Sequence, residues 1–421
     1  MIKATTKLPS NNPPNSSKMS SNVASSPLST NIVTVRSMNS LRAALPHYDK
    51  LGEPSKPLSI FQCLKAIVFA SRLNVLLVFL PLGIIASEVN WSPVIVFVFN
   101  FIAIIPLAKL LGFATEDISL RLGENLGALL NASFGNAVEL ILALIALKEG
   151  KIDVVKASLL GSILSNLLLV LGCCFVLGGI KFSRQEFNMT AAQTSSSLLS
   201  LACLAMLIPA AFAASIGPEI SDDSGIQHLS QGSAIVMLVV YVFYLVFQLK
   251  THTHLYSTVP DEEEPVLPLW LGVATLLGIT VGVAVCSEFL VGAIDPLAQS
   301  WNISQTFIGL ILLPIVGNAA EHVTAVSVAM KNKMDLAIGV AVGSSTQIAL
   351  LVTPLMVIVG WIIHQPMTLL FNIFETGVLF VSVLIVNYLI QDGESNWLEG
   401  VMLISTYTIV AIAVFYYPAS I

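Results

Sequence analysis

Apolar runs of roughly 20 residues, the length a helix needs to cross a bilayer, follow one another through most of the chain with short polar breaks between them. The runs do not alternate apolar and polar residues, so a transmembrane β-barrel is excluded. The pattern predicts an all-α polytopic membrane protein of about eleven transmembrane helices. The spans are placed near 74–88, 92–112, 119–148, 152–178, 187–213, 231–250, 267–290, 303–330, 335–361, 368–390 and 396–416. Composition agrees. Of 421 residues, 55% are hydrophobic and only 10% charged, against roughly 25% charged in a soluble domain. Nothing basic enough to bind nucleic acid stands out, and the expected surroundings are a lipid bilayer.

Residues 1–57 break the pattern. They are rich in Ser, Asn and Pro, carry seven Lys or Arg residues, and read as a disordered cytosolic tail. They contain no apolar core of the kind a cleavable signal peptide needs, so the first helix is expected to serve as an uncleaved anchor. Residues 58–91 hold an amphipathic lead-in, with Lys65 and Arg72, and the first transmembrane helix. Basic residues in short loops set orientation. With a cytosolic N-terminus, Lys109, Arg121, Lys181, Arg184, Lys250, Lys331 and Lys333 fall on the cytosolic side. Eleven spans then put the C-terminus in the lumen. Lys148, Lys151 and Lys156 violate this bias, and nothing in the sequence explains them. Cys63, Cys173, Cys174, Cys203 and Cys286 lie in or beside apolar segments without metal-finger spacing, and read as small packed hydrophobes.

The apolar pattern is broken twice in the same way. Gly135-Asn136-Ala137-Val138-Glu139 is answered by Gly317-Asn318-Ala319-Ala320-Glu321, an offset of 317 − 135 = 182. The register continues without a gap. Lys151 and Asp153 match Lys333 and Asp335, Gly161-Ser162 match Gly343-Ser344, and Leu168-Leu169-Val170 match Leu350-Leu351-Val352. The copies fall on the third and eighth spans, so they cross the bilayer in opposite directions. This predicts one leading helix followed by two inverted five-helix repeats, 92–250 and 267–421, joined by an acidic linker at 251–266. Transporters of this kind hold substrate near the midplane on interrupted helices.

A carboxylate at membrane depth costs several kcal/mol and marks function by default. Glu139 and Glu321 supply the charge to neutralise one divalent ion, Asn136 and Asn318 supply amide oxygens, and Ser162, Ser165, Asn166, Ser344 and Gln347 stand at the facing positions of the partner helices. These are hard oxygen donors, suited to Ca²⁺, Mg²⁺ or Mn²⁺. A carboxylate pair in an apolar cavity also holds protons well when empty. The pair can therefore take a metal ion or protons in competition, which is the minimum chemistry of a cation/proton antiporter. The bland alternative is that the two Glu only fix helix packing. Glu288, Glu124 and His322 are candidates for a proton path, each with a packing or interfacial alternative, and Glu375 has no repeat partner. Asn90 and Asn302 begin glycosylation sequons in short loops. The run Asp261-Glu262-Glu263-Glu264 reads either as a solvated linker or as a surface that gathers Ca²⁺.

These residues resemble the calcium/proton exchanger (CAX) family within the cation/calcium exchanger superfamily, its fungal vacuolar members most of all. The resemblance rests on GNAVELILALIAL at 135–147, GSILSNLLLVLG at 161–172, GNAAEHVTAVSVAMKNKMDLAIGVAVGSSTQIALLV at 317–352 and SEFLV at 287–291. It implies eleven helices, an inverted repeat, Ca²⁺ coordination around Glu139 and Glu321, and movement of Ca²⁺ from the cytosol into an acidic organelle, a vacuole, in exchange for H⁺. The chain is thus expected to be a transporter without enzymatic activity or cofactor, with Ca²⁺ and H⁺ as its transported ions. Mn²⁺ transport and a homo-oligomeric assembly are compatible with the sequence. A sodium-coupled exchanger on the same scaffold is the main alternative. An intramembrane aspartyl protease would need paired membrane Asp residues, and a channel would not need the antisymmetric repeat.

Neutralising Asp261, Glu262, Glu263 and Glu264 together is expected to shift the apparent Ca²⁺ affinity while leaving turnover intact. Ca²⁺ titration of vesicle uptake checks this, and complete loss of uptake would remove the run from a surface role.

Overall fold

The computed structural model describes residues 71–216, 223–256 and 265–417, with Cys63, Lys65 and Ile67. The tail 1–57 and the run Asp261–Glu264 lie outside the described residues. The chain opens with a 3₁₀ segment, Arg72–Val78, capped by the Ser71 hydroxyl, which accepts the Leu73 N–H. Fourteen helices follow: α1 Phe79–Glu88, α2 Pro93–Leu122, α3 Glu124–Phe134, α4 Ala137–Lys148, α5 Ile152–Lys181, α6 Met189–Ile216, α7 Asp223–Val246, α8 Leu269–Gly292, α9 Ile294–Trp301, α10 Gln305–Gly317, α11 Ala319–Ala329, α12 Met334–Ile362, α13 Ile373–Leu389 and α14 Trp397–Tyr416. Two two-residue strands, β1 Gln185–Glu186 and β2 Glu394–Ser395, pair antiparallel and are the described departure from an all-α chain.

Among the described residues, seven helices are long and apolar enough to cross a membrane, or eight if α9 and α10, bent by 115°, form one span. Of the rest, α13 is an unbroken apolar helix of 17 residues, and most of the others are pieces on either side of a break. α2 starts on Pro93 and ends at Gly123, whose φ of 79° suits glycine alone. The predicted span 119–148 is therefore the end of α2 followed by the broken pair α3 and α4. α9 forms where the sequence pattern gave only a loop. α7 starts eight residues before its predicted boundary at 231, across a polar run. That run stays helical because its polar atoms find partners: the Ser230 hydroxyl accepts the Leu369 N–H at 3.0 Å. Asn90 and Asn302, the two sequon residues, hold left-handed conformations where helices end.

The 182-residue offset reappears in the backbone. α4 and α11 start 319 − 137 = 182 apart, α5 and α12 start 334 − 152 = 182 apart, and the turns before α5 and α12 are made by left-handed Gly150 and Asn332, again 182 apart. α5 and α12 each carry a π-helical segment, Ser165–Val170 and Ile348–Val352, ending at equivalent residues. Packing follows the same correspondence. α2 packs on α8 and α6 on α13, while α4 packs on α8 as α11 packs on α2. α5 and α12 are the most enclosed, with 67% and 61% of their apolar windows buried against 22% in Ser224–Thr251.

The centre is closed by small residues. A methyl group on Gly309 of α10 would stand 2.7 Å from Ala157 Cβ of α5, and one on Gly161 would stand 2.7 Å from Leu310 Cα. Two of the three lysines that violate the charge bias, Lys151 and Lys156, are consumed by this packing, while Lys148 is exposed. Lys151 Nζ donates to Val291 O at 2.8 Å and pairs with Asp295 at 3.1 Å. Lys156 Nζ donates to Leu370 O at 2.8 Å and Thr368 Oγ1 at 3.2 Å, with the charges of Asp153 and Glu375 beside it. Glu375, without a repeat partner in sequence, thus has a charge partner in space.

Gly161→Ala is expected to destabilise the protein by about 1–3 kcal/mol through overpacking. Gly343→Ala, at the repeat-equivalent position with no neighbour within 4 Å, should be tolerated. Thermal unfolding in detergent distinguishes the two.

Candidate functional site

Each motif copy forms the same local structure. Asn136 and Asn318 sit at the helix breaks, with φ −104°, ψ 31° and φ −86°, ψ 3°, and begin α4 and α11 without capping them through the side chain. Glu139 and Glu321 therefore fall in the first turns of these helices. There the unpaired N–H groups and the helix dipole favour a negative charge. Both asparagines are buried, at 3% and 0% exposure, so their amides face protein and not lipid or bulk water.

The two copies meet. A methyl group on Gly317 would stand 3.1 Å from Glu139 Oε1, so the first glutamate lies against the second helix break. Asn136 Nδ2 donates to Gln347 Oε1 at 2.6 Å, joining the first motif to the residue just before the second π segment. Ser344 Oγ donates to Glu321 Oε1 at 3.0 Å. Glu139 and Glu321 are close enough to feel each other's charge, and Asn166 faces Glu321. Ser165 Oγ lies 3.4 Å from His322 Nε2. Ser162 lines a small cavity with Glu139, Ser158, Leu159, Leu313 and Gly317. All nine residues assigned to the transport site thus lie on the two broken helices or on α5 and α12 beside them.

Several donors are left over. Asn136 Oδ1, both amide atoms of Asn166, both of Asn318, and Glu321 Oε2 are buried without a completed hydrogen bond. Buried polar atoms are nearly always partnered, and four of these six atoms are oxygens gathered around the two carboxylates. The donor set is two carboxylates plus neutral amide and hydroxyl oxygens, which suits a hard cation. Among the described residues, no three His, Cys, Asp or Glu side chains gather as a metal centre.

The proton-path candidates separate. His322 follows Glu321 in sequence and reaches the site through Ser165. Glu288 is exposed on α8, and Glu124 opens α3 with a side chain outside the described part of the structure. Ser158 was missed by the sequence reading. Its spacing of four before Ser162 puts both on one helix face, which is the signal that could have found it.

Gln347→Leu is expected to lower stability by about 1–3 kcal/mol, because it strands the buried Asn136 amide. A detergent melt of the variant against the wild type reads the loss.

The chain has relatives among known proteins. A vacuolar calcium ion transporter of Schizosaccharomyces pombe is 53% identical over 365 residues, covering 86% of this chain and 89% of that protein. A Ca²⁺/H⁺ antiporter of Synechocystis is 49% identical, covering 82% and 97%. Among solved structures, native YfkE matches with a TM-score of 0.71 at 39% identity, over 82% of this chain and 100% of that one. The family described as sodium/calcium exchanger protein matches in two segments, residues 92–250 and 271–416. That match spans well over half of the chain and places it in the sodium/calcium exchanger protein family.

Proposed function

We propose that this chain is a Ca²⁺/H⁺ antiporter that moves Ca²⁺ from the cytosol into an acidic organelle. The observation that carries the reading is the meeting of the two motif copies: Glu139 against Gly317, and Asn136 bonded to Gln347. Relatives at 53% and 49% identity that carry the names calcium ion transporter and Ca²⁺/H⁺ antiporter support the choice of ions. Ca²⁺ and protons compete for the same carboxylate oxygens. Deprotonated Glu139 and Glu321 bind Ca²⁺ from the cytosol, with Asn136, Asn318, Ser162, Ser165, Asn166, Ser344 and Gln347 as the neutral oxygen shell. The protein then rearranges, the acidic lumen protonates the pair, and Ca²⁺ leaves. A ligand drives such a cycle only through its different affinity for the two states.

The architecture we assign is α1 as a leading helix and two inverted halves of five spans. The first half is α2, α3 with α4, α5, α6 and α7. The second is α8 with α9, α10 with α11, α12, α13 and α14. The shared 182-residue offset of helix starts supports it. With the N-terminus in the cytosol, as the basic residues of the short loops favour, eleven spans leave the C-terminus in the lumen. The vacuolar membrane is the location that the vacuolar relatives favour. His322 is the better candidate for a proton route, since it touches a site residue. Glu288 and Glu124 remain outer candidates.

Glu139→Gln and Glu321→Gln are each expected to reduce radioactive Ca²⁺ uptake into acid-inside vesicles to background. Both variants should keep the wild-type elution profile in detergent. A protonophore should abolish wild-type uptake. Wild-type rates from either variant would sink the two-carboxylate site, and uptake that follows a Na⁺ gradient instead would replace the coupling ion.

A further inference from the structure

The small cavity beside Glu139 is lined by pairs of residues about one turn apart on three helices: Glu139 and Leu142 on α4, Ser162 and Ser158 on α5, Gly317 and Leu313 on α10. The second member of each pair lies nearer the same end of the bundle. α4 runs from its break to the turn at Gly150, and α5 runs back from that turn. α10 begins at this end too, since Gln305 donates to Asp295 at 2.8 Å and Asp295 pairs with Lys151 of the turn at 3.1 Å. The cavity therefore reaches from Glu139 one turn towards the α4–α5 turn. Its volume is about 10 Å³, close to the smallest that admits one water molecule.

Three polar side chains line this space, Glu139, Ser158 and Ser162, and the rest of the wall carries none. Ser158 Oγ donates its proton to Val155 O at 3.0 Å, so it has only lone pairs left to offer the cavity. Among the described residues Ser162 has no side-chain hydrogen bond, and its hydroxyl can still donate. The second half is built differently. Ser344 donates straight to Glu321 at 3.0 Å, and Val340 stands where the first half has Ser158 (340 − 158 = 182). Among the described residues no side chain donates to Glu139. Where the second half joins serine to glutamate directly, the first half leaves a gap the size of one water, with an extra hydroxyl behind it.

We propose that this cavity is a binding site for one ordered water molecule and that Ser158 is the positioning residue that holds it. The water donates to Ser158 Oγ and to the Glu139 carboxylate, and accepts from Ser162 Oγ. Those three bonds are the usual number for a buried water. The water orients Glu139 for the cation as Ser344 orients Glu321. This inference rests on the two-carboxylate reading of the site and adds to it the group that aims the first carboxylate.

A high-resolution structure of the full chain should show density for a water within hydrogen-bond distance of Ser158, Ser162 and Glu139, and Ser158→Ala should lose it. In vesicles, Ser158→Ala should raise the apparent KM for Ca²⁺ about fivefold, the size of one neutral hydrogen bond, with little change in kcat and an unchanged detergent melt. Ser158→Thr, which keeps the hydroxyl, should hold the wild-type KM. A cavity without the water, or Ser158→Ala with the wild-type KM, would overturn the proposal. Glu139→Gln assayed in parallel separates the two claims. If it is inactive while Ser158→Ala is normal, only the water site falls. If it transports normally, the two-carboxylate site itself is wrong.

Discussion

The structure is governed by the cost of keeping two carboxylates out of water. An ion removed from water costs several kcal/mol unless charges or hydrogen bonds replace its hydration. Glu139 and Glu321 receive that replacement from the fold. Each stands in the first turn of a helix that begins at membrane depth, where N–H groups are unpaired. A continuous helix could not offer this, so the Gly-Asn breaks are a requirement of the charge. The π segments of α5 and α12 serve the same end. They begin at or beside Ser165 and Gln347, and both residues reach across to the other half of the site. Such segments recur at functional positions for this reason.

The two halves are alike in backbone and unlike in side-chain contacts. Ser344 donates to Glu321, while its counterpart Ser162 borders a cavity next to Glu139. Gly161 is locked against α10, while its counterpart Gly343 is free of neighbours. Ser165 is matched by Gln347, a longer side chain that spans a wider gap. A repeat needs only a similar backbone path, so each half can tune its own side chains, and the site is paired without being symmetric.

The paired motifs, the gapless register and the gathering of polar side chains around Glu139 and Glu321 were legible in the sequence because polar groups in an apolar run are rare and expensive. The span boundaries were less legible. Gly123 divides a run that reads as continuous, and Ser230 sits in a helix because of Leu369, which is remote in sequence. The lysine anomaly had the same origin. Lys151 finds Asp295, and Lys156 finds Thr368 and Leu370, across more than a hundred residues.

The crossing of α5 and α10 limits how access to the site can change sides. At Gly161 the two helices meet backbone against the backbone of Leu310, and at Gly309 only the Ala157 methyl group stands between them. Contact this close cannot slide, because any displacement drives backbone into backbone. Yet α5 precedes the linker and α10 follows it. A movement that parted the chain into its two sequence halves would have to tear this contact open. One that leaves α5 and α10 together as a fixed strut, and tilts the surrounding helices about it, would not. The seam along which the protein can flex is therefore drawn by where the glycines lie, and it does not follow the division of the chain into two copies.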